Sequence, residues 1–186
     1  DDVKVVTFAG ASFSDSELLE GCLIEKDPAH TQMPPAIAGS VLCLTSEMEI
    51  KEMKQDSQLS ISDPDSLQAF LEKEEEALKE MVDTIKKSGA SIVLVKGAID
   101  DLAKHFLSRE RILAVERASP SDLELVRKTT GANLVNSLKD LKVEDLGEGS
   151  ARVLQYGEHH CVHVSADAKG PVTAVIRGVS SHTAEE

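Results

Sequence analysis

A long uninterrupted helical segment, followed at once by an apolar strand, is the feature that most constrains the fold of this chain. Nothing between Pro64 and Ser88 breaks a helix, and the segment that follows, Ser91–Val95, is almost wholly apolar. Asp63 is placed to cap the helix, proline suits the first helical position, and Gly89 suits the left-handed position after the last turn. Such a helix is roughly 37 Å long, because each residue adds ~1.5 Å.

The apolar stripe of this helix is interrupted by a run of carboxylates. Apolar residues recur at helical spacing in its second half and predict a face packed on a core: Leu78, Met81, Val82 and Ile85. A second apolar group lies one or two turns earlier: Leu67, Phe70 and Leu71. The segment between them, Glu72–Glu76, is acidic apart from Lys73. We predict that the second half is docked and the first half projects; the alternative is an ordinary amphipathic helix with a solvated acidic turn.

Downstream of this helix, predicted strands and helices alternate with short connections. The predicted strands are Ser91–Val95, Ile112–Glu116 and Asn133–Asn136, and the predicted helices between them are Ala98–Ser108 and Pro120–Thr129. This alternation favours parallel βαβ units, and an apolar strand such as the first is typical of one covered on both faces. The remaining predicted strands lie toward the two ends of the chain: Val3–Phe8, Leu18–Ile24, Val41–Leu44, Arg152–Tyr156, Cys161–Ser165 and Val172–Arg177.

The motifs around the long helix occur in an order known from one family. The helix opens with ISDP at 61–64 and is followed by SGASIV at 88–93, KGAIDDLAKHFL at 96–107 and ILAV at 112–115. Further motifs are DSELLEG at 15–21, His30 with Met33-Pro34, TGA at 130–132, DLGEG at 145–149 and VIRG at 175–178. Over essentially its whole length the sequence resembles the apical domain of group II chaperonins, the family of the archaeal thermosome and the eukaryotic cytosolic chaperonin. It departs from the family pattern by one extra residue after Gly97 and by lost basic residues in Glu116–Asp122.

The resemblance implies an α/β fold in which a β-sandwich-like body carries flanking helices and a projecting helical protrusion, a built-in lid. It implies a single apical, substrate-binding domain over 1–186, with 55–76 as the protrusion and with short ends 1–8 and 178–186 leading toward an intermediate domain. The lid residues are then Leu59, Leu67, Phe70 and Leu71. The implied function is that of the polypeptide-binding and lid-forming domain of an ATP-dependent chaperonin, which binds unfolded protein and assists folding.

Cofactors, partners and location follow from the same resemblance. ATP hydrolysis, with ATP and Mg, is expected of the full-length protein, whereas we expect no catalytic residue and no cofactor in this chain. The expected partners are non-native polypeptide clients and neighbouring subunits of a double ring in the cytoplasm. Since the chain lacks an initiator Met, we expect it to be part of something longer.

The resemblance places client binding on the predicted helix Ala98–Ser108 and on the nearby loop Gly10–Ser14. Helical spacing directs four apolar residues of the helix inward: Ile99, Leu102, Ala103 and Phe106. The opposite face and the loop then supply the candidate client-binding residues: Asp101, Lys104, His105, Ser108, Arg109, Ser12, Phe13 and Ser14. This surface is polar, so we expect client contacts that mix charge, hydrogen bonds and limited apolar area.

Composition excludes several other classes of function. The net charge of −13 argues against a nucleic-acid partner, which would require a basic patch, and aromatic residues make up only 3% of the chain. Three scattered cysteines are too few for a disulfide framework. No apolar run approaches the ~18–20 residues needed to cross a bilayer.

Neither a metal site nor a catalytic site emerges from the motifs. Cys161 and His163 would share one face of a strand, beside His159 and His160, but no second ligand pair completes a metal shell, so we predict no metal. Asp100 and Asp101 point about 100° apart on a helix and fit first-turn acids better than paired catalytic carboxylates. Two rival interpretations are a freestanding protein-binding module derived from a chaperonin, and a small α/β enzyme with an unrecognised site.

Overall fold

The computed structural model describes residues 3–50 and 64–178. Within these ranges the chain forms three α-helices: α1 (Pro64–Ser88), α2 (Asp101–Arg109) and α3 (Pro120–Thr130). The strands of the same ranges are β1 (Val3–Ala9), β2 (Glu17–Glu20), β3 (Cys22–Ile24), β4 (Ala36–Leu44), β5 (Ala90–Val95), β6 (Leu113–Val115), β7 (Leu134–Val135), β8 (Gly147–Tyr156), β9 (His159–Ser165) and β10 (Val172–Gly178).

The larger sheet joins a parallel half to an antiparallel half. Its strands lie in the order β3-β9-β8-β4-β5-β6, with β7 beside the end of β4. β4, β5 and β6 run parallel, as the predicted βαβ alternation requires, whereas β4, β8, β9 and β3 pair antiparallel. The predicted hairpin is confirmed, since β8 and β9 are joined at Gly157 and pair from Tyr156 to Ser150.

The core of the larger sheet is built on β5. The side chains of Ile92, Val93, Leu94 and Val95 are fully buried, which confirms the prediction of a strand covered on both faces. α1 packs on β5, α2 packs on α1 and β6, and α3 packs on the antiparallel half. The three helices therefore flank the sheet from which the body is built.

The smaller sheet adds a second layer at one end of the body. Its strand order is β1-β10-β2, with β1 parallel and β2 antiparallel to β10. A separate apolar cluster fills the space between it and the β8–β9 hairpin: Val6, Phe8, Leu23, Tyr156, Cys161 and Val175. β3 contributes to both cores, because its side chains point alternately to its two faces. Leu23 belongs to this cluster, whereas Cys22 and Ile24 belong to the main core. The result is the sandwich-like body expected from the sequence.

α1 begins and ends at the predicted residues, and only its second half is buried. Leu78, Val82 and Ile85 are its buried residues, at 1%, 2% and 0% exposure. Met81 is partly buried and packs against the same core. No side chain between Pro64 and Ala77 is buried. The cap predicted at Asp63 lies outside the described residues.

The boundaries predicted for two strands, Leu18–Ile24 and Val41–Leu44, are wrong, and in both cases contacts with other strands decide the true boundary. The single strand predicted over Leu18–Ile24 is two strands in different sheets, broken at Gly21. This glycine has φ +104°, and a Cβ there would lie 2.1 Å from the carbonyl oxygen of Val164, so only glycine fits the crossover. The strand predicted over Val41–Leu44 begins earlier, at Ala36, because β8 pairs with its first half.

The helix predicted over Ala98–Ser108 begins three residues later. Ile99 forms a β-bridge to Met48, which holds the chain extended. Asp100 then caps α2, since its carboxylate accepts a hydrogen bond from the N–H of Leu102 at 3.0 Å. The start of α3 is as predicted, with Ser119 as the cap and proline at the first helical position.

The two halves of α1 can be compared by truncating two of its leucines. Replacing Leu78 by Ala should lower the free energy of unfolding by about 2–5 kcal/mol, because it opens a cavity in the core. Leu71 is 53% exposed, so Leu71→Ala is the matched control and should stay within about 0.5 kcal/mol of the parent. Urea denaturation measures both values, and equal losses would mean that the first half of α1 is also packed.

Candidate functional site

α2 carries most of the predicted client-binding residues, and it is anchored by apolar contacts beneath. Ala103 and Leu107 are fully buried, while Leu102 and Phe106 are partly buried against the core. Sequence periodicity found Leu102, Ala103 and Phe106 but missed Leu107, the deepest leucine of the helix. The helix is therefore fixed on β6 and α1, and its remaining face is open to solvent.

A charged network joins the start of α2 to the end of β6. The Lys104 Nζ lies 2.7 Å from a carboxylate oxygen of Glu116 and 3.3 Å from one of Asp101. The other Glu116 oxygen accepts a hydrogen bond of 3.0 Å from the N–H of Ile99. Since the Lys104 side chain is only 16% exposed, its ammonium group interacts mainly with these two carboxylates and little with solvent.

Lys104 and Glu116, the two central groups of this network, are held in their charged forms. Partial burial raises the pKa of the Glu116 carboxyl, but the N–H of Ile99 and the ammonium of Lys104 outweigh it, so the pKa lies below its ordinary value. Burial likewise disfavours the charged form of Lys104, but the bonds to Glu116 and Asp101 raise its pKa above the ordinary value. The network therefore stabilises the turn from which α2 starts.

The exposed face of α2 is smaller than the sequence indicated. Asp101, His105 and Arg109 are exposed, and the His105 ring lies 6.0 Å from that of His30 in an edge-on arrangement. The expectation that Ser108 shares this face is wrong. Ser108 is 5% exposed and its hydroxyl donates a hydrogen bond of 2.7 Å to the carbonyl of His105, because a short side chain after Leu107 is covered by its neighbours.

The loop Gly10–Ser14 does not lie near α2. Its backbone bonds to the end of β10 through Gly10 and Ala11, and Phe13–Asp15 forms a single 3-10 turn that packs on β10. β10 contacts β3 at one end of the larger sheet, whereas α2 packs on β6 at the other. Five strand spacings of ~4.8 Å separate these ends, roughly 24 Å. The prediction that the loop and the helix adjoin each other is therefore wrong within this chain.

Phe13 is the prominent side chain of that loop. Its ring is 67% exposed, whereas Ser12 and Ser14 bond to each other through their hydroxyls at 3.0 Å. The Ser12 N–H also donates to the Asp15 carboxylate at 3.0 Å, which holds the turn. The loop thus presents one aromatic ring on a small, hydrogen-bonded support.

The first half of α1 presents the other apolar residues singled out in the sequence. Leu67 and Leu71 are 42% and 53% exposed, and Phe70 is half-buried. Leu59 lies outside the described residues. The acidic turn that follows is largely exposed, and Gln68 donates to Glu72 along the helix at 3.2 Å. This half therefore combines apolar side chains with solvated carboxylates.

A segment that the sequence described only as a loop covers the free edge of the larger sheet. Ala29 donates a backbone hydrogen bond of 2.8 Å to Ala114 of β6, and the Ala114 N–H points at the sulfur of Met33 at 3.3 Å. Met33 is buried at 6% exposure. In the sequence, this segment was marked by the His30 and Met33-Pro34 motif. Sequence spacing, however, does not reveal which strand edge a loop covers.

Neither of two clefts on the described surface gathers the residues predicted for client binding. One, of about 780 Å³, lies beyond the end of α3 and is lined by residues 38–40, 128–131, 148–150 and 166–168. Most of its lining is glycine, serine, threonine and alanine, with the charged side chains Lys128, Glu148 and Asp167. The other, of about 280 Å³, lies at the hairpin turn beside His159 and His160.

Two of the candidate metal-ligating residues of the β9 hairpin lie inside the fold, whereas His159 and His160 are exposed. Cys161 and His163 are buried, and the His163 Nε2 lies 2.8 Å from the carbonyl oxygen of Glu20. Burial lowers the pKa of His163, which favours the neutral ring. Among residues 3–50 and 64–178, no three His, Cys, Asp or Glu side chains are arranged to hold a metal ion. None of the described helices is both long and apolar enough to span a membrane.

The charged network at the start of α2 predicts a specific pH dependence of stability. A carboxyl whose pKa is lower in the folded state stabilises the fold above its unfolded-state pKa, and this contribution is lost as the pH falls through the folded-state value. Glu116→Gln should therefore lower the free energy of unfolding at pH 7 by about 1–2 kcal/mol. The difference from the parent should shrink below about pH 4.5.

Glu124→Gln is the control, since Glu124 pairs with Arg127 on an exposed helix face at 43% and 41% side-chain exposure. That variant should stay within about 0.5 kcal/mol of the parent across the same pH range. Urea titrations at several pH values give both profiles. Coincident profiles for the Glu116→Gln variant and the parent would show that the network contributes nothing.

Comparison with known proteins matches the whole chain to one family. Residues 1–186 match the model of the TCP-1/cpn60 chaperonin family. The chain is 42% identical to a thermosome subunit of Methanothermococcus thermolithotrophicus and 40% identical to the thermosome subunit beta of Thermococcus kodakarensis, covering all of this chain and 35% of each relative. The fold matches the open-state monomer of a group II chaperonin from Methanococcoides burtonii, with a TM-score of 0.78 and 26% identity over 99% of this chain and 40% of that one. The chain thus spans about a third of the length of these relatives, and it belongs to the TCP-1/cpn60 chaperonin family, in its group II branch.

Proposed function

We propose that this chain is the apical domain of a group II chaperonin subunit and that it binds non-native polypeptide and contributes to a built-in lid. The observation that carries the proposal is the exposed first half of α1, in which no side chain before Leu78 is buried. A helix that leaves the body with Leu67 and Leu71 in solvent has apolar surface to offer to another polypeptide. In the proposed domain, 1–186 is one unit, 55–76 is the protrusion, and 1–8 and 178–186 lead toward an intermediate domain.

Client contacts are proposed for the exposed face of α2 and, separately, for the loop with Phe13. Asp101, His105 and Arg109 offer charge and hydrogen bonds, whereas Phe13 offers an apolar ring. Lys104 belongs to this face, but its ion pairs with Glu116 and Asp101 make it a support of the surface more than a contact. Because the two regions lie at opposite ends of the larger sheet, a client that touches both must be extended, or must reach them on neighbouring subunits.

The activity of the whole protein forms part of the same proposal. ATP and Mg are expected to act in parts of the polypeptide beyond this chain, which spans 35% of its curated relatives. The proposed partners are unfolded polypeptides and neighbouring subunits in a double ring in the cytoplasm. For this chain the proposal assigns binding and no catalysis.

Charge reversal at Arg109 tests client binding on α2. Arg109→Glu in the full-length ring should reduce capture of an unfolded client several-fold, because an exposed cation at the C-terminal end of the polar face becomes an anion. Arg109 is a better choice than Lys104, whose reversal would break the network that starts α2. Capture is measured by cross-linking or co-sedimentation of a chemically unfolded client with the ring.

Lys169→Glu is the control for this experiment, since it makes the same change at an exposed position on the loop before β10. The control should leave client capture unchanged, and neither variant should alter the melting temperature of the ring. Client capture that survives Arg109→Glu would remove α2 from the proposal, and a parallel Phe13→Ser variant would then decide whether the loop alone carries binding.

The lid function is tested by making α1 polar where it is exposed. Leu67→Ser combined with Leu71→Ser should leave ring assembly intact but weaken nucleotide-dependent closure, because closure requires these side chains to leave water. The measurement is protease resistance of the α1 segment in the ring with and without nucleotide. The control is Leu134→Ser, since Leu134 is 41% exposed but lies on β7. Full protease resistance in the double variant would contradict a lid role for this segment.

A further inference from the structure

One arginine of the smaller sheet is buried without a carboxylate partner. Arg177 lies on β10 and is 8% exposed, whereas the other five arginines of the chain are exposed or half-buried. Its Nε has no hydrogen-bond partner among the described residues, and none of their carboxylates forms an ion pair with it. Because a guanidinium group does not lose its proton in proteins, burying it costs free energy unless a partner offsets that cost.

Elsewhere the chain pairs the cations that it covers. The Lys4 side chain is 19% exposed, and its Nζ lies 2.6 Å from a carboxylate oxygen of Asp122. The Lys104 side chain is 16% exposed, and its Nζ lies 2.7 Å from a carboxylate oxygen of Glu116. Arg177 is also covered but has no such partner, so it departs from the way in which the rest of the molecule treats buried positive charge.

The surroundings of Arg177 hold its guanidinium group in place. Its backbone N–H donates a hydrogen bond of 2.9 Å to the Ser16 hydroxyl, and its Cζ lies 5.2 Å from the centre of the Tyr156 ring. That ring is stacked on Phe8, with centroids 4.8 Å apart, and Phe8 lies opposite Arg177 in the register of β1 and β10. A cation over an aromatic face is stabilised, but the ring offers no oxygen to accept from the N–H groups.

A carboxylate on the same face of the sheet, that of Glu17, is engaged elsewhere. Glu17 lies opposite Val175 in the register of β2 and β10, two residues before Arg177 along β10. Its Oε1 accepts a hydrogen bond of 2.5 Å from the Tyr156 hydroxyl. The hydroxyl lies at the rim of the ring and the guanidinium group lies over its face, so Glu17 and Arg177 contact Tyr156 at different places.

We propose that Arg177 is the receiving group of a carboxylate-binding site and that the carboxylate comes from polypeptide other than the described residues. A carboxylate is the chemical class that fits, because the parallel N–H groups of a fixed guanidinium match its two oxygens. Arg177 lies one residue before the end of β10, and the carbonyl of Gly178 accepts hydrogen bonds from Gly10 and Ala11, at the start of the loop with Phe13. The sources to be distinguished are therefore the rest of a longer subunit, a neighbouring subunit and a client; the last two rest on the proposed function.

Acetate tests the site in the unaltered 186-residue chain. Sodium acetate should shift the side-chain Nε–H signal of Arg177 in nitrogen NMR spectra, with half-saturation on the order of tens of millimolar, as suits a ligand of about four non-hydrogen atoms. The Nε–H signals of the exposed Arg109 and Arg152 are internal controls and should not saturate. Sodium chloride at the same ionic strength should have no such effect. A shift that does not saturate with acetate, or an equal shift with chloride, would overturn the site.

Cross-linking in the full-length subunit identifies the source of the carboxylate. Arg177→Lys keeps the positive charge and supplies a primary amine, which a water-soluble carbodiimide joins as an amide to a carboxylate in contact with it. Mass spectrometry of the cross-linked peptides identifies the partner in the assembled ring, in the dissociated subunit, and with and without an unfolded client. Arg127→Lys is the matched control, because Arg127 lies 2.5 Å from a carboxylate oxygen of Glu124 and the amine there should be joined to that residue.

The Arg177→Lys subunit should give a cross-link from position 177 to a carboxylate outside the described residues, which supports the site. A partner in the same subunit persists after dissociation, a partner in a neighbouring subunit is lost on dissociation, and a partner in a client requires client. A cross-link to Glu17 alone, or none while the Arg127→Lys control is joined to Glu124, would overturn the site. If Arg177→Lys does not fold, the acetate titration decides. Client capture by the Arg109→Glu ring is a separate readout, so failure of this site and failure of the proposed function are recognised independently.

Discussion

The burial of β5 on both faces is the constraint on which the rest of the structure depends. Its four central side chains, Ile92–Val95, are removed from water, which stabilises the fold only if apolar elements cover each face. The second half of α1 supplies part of that cover through Leu78, Val82 and Ile85. Once this half is docked, the sheet ends beneath it, and the first half of the same helix has no core to meet. One burial requirement thus produces both the body and the exposed end of α1.

Much of this fold could be predicted from sequence because its signals are local. The limits of α1 and the start of α3 follow from proline, capping residues and helical periodicity within a few residues. Gly21 could not be interpreted in the same way, since its role depends on the backbone of Val164 across the sheet. The start of α2 also depends on a distant partner, the bridge from Ile99 to Met48. The local sequence pattern thus predicted which helices and strands form, whereas contacts with distant residues determine where β2 and β3 separate and where α2 begins.

The candidate site was less predictable for the same physical reason. Helical spacing placed Asp101, His105 and Arg109 on an open face, but it gave no sign that Lys104 pairs with Glu116 from β6. Ser108 looked exposed on a helical projection and is buried by its neighbours. The separation of α2 from the loop with Phe13 depends on the strand order of the larger sheet, which no local pattern encodes.

The negative charge of the chain allows it to expose apolar side chains to water without self-association. The leucines of the first half of α1 lie beside the acidic turn Glu72–Glu76, and the net charge of −13 opposes self-association between copies. Any polypeptide that contacts these leucines must therefore approach them past the carboxylates, which favours basic or neutral sequences. α2 adds an exposed cation, Arg109, to a chain whose net charge is negative. Polar contacts made on this face weaken with salt and with competing water more readily than buried apolar contacts do.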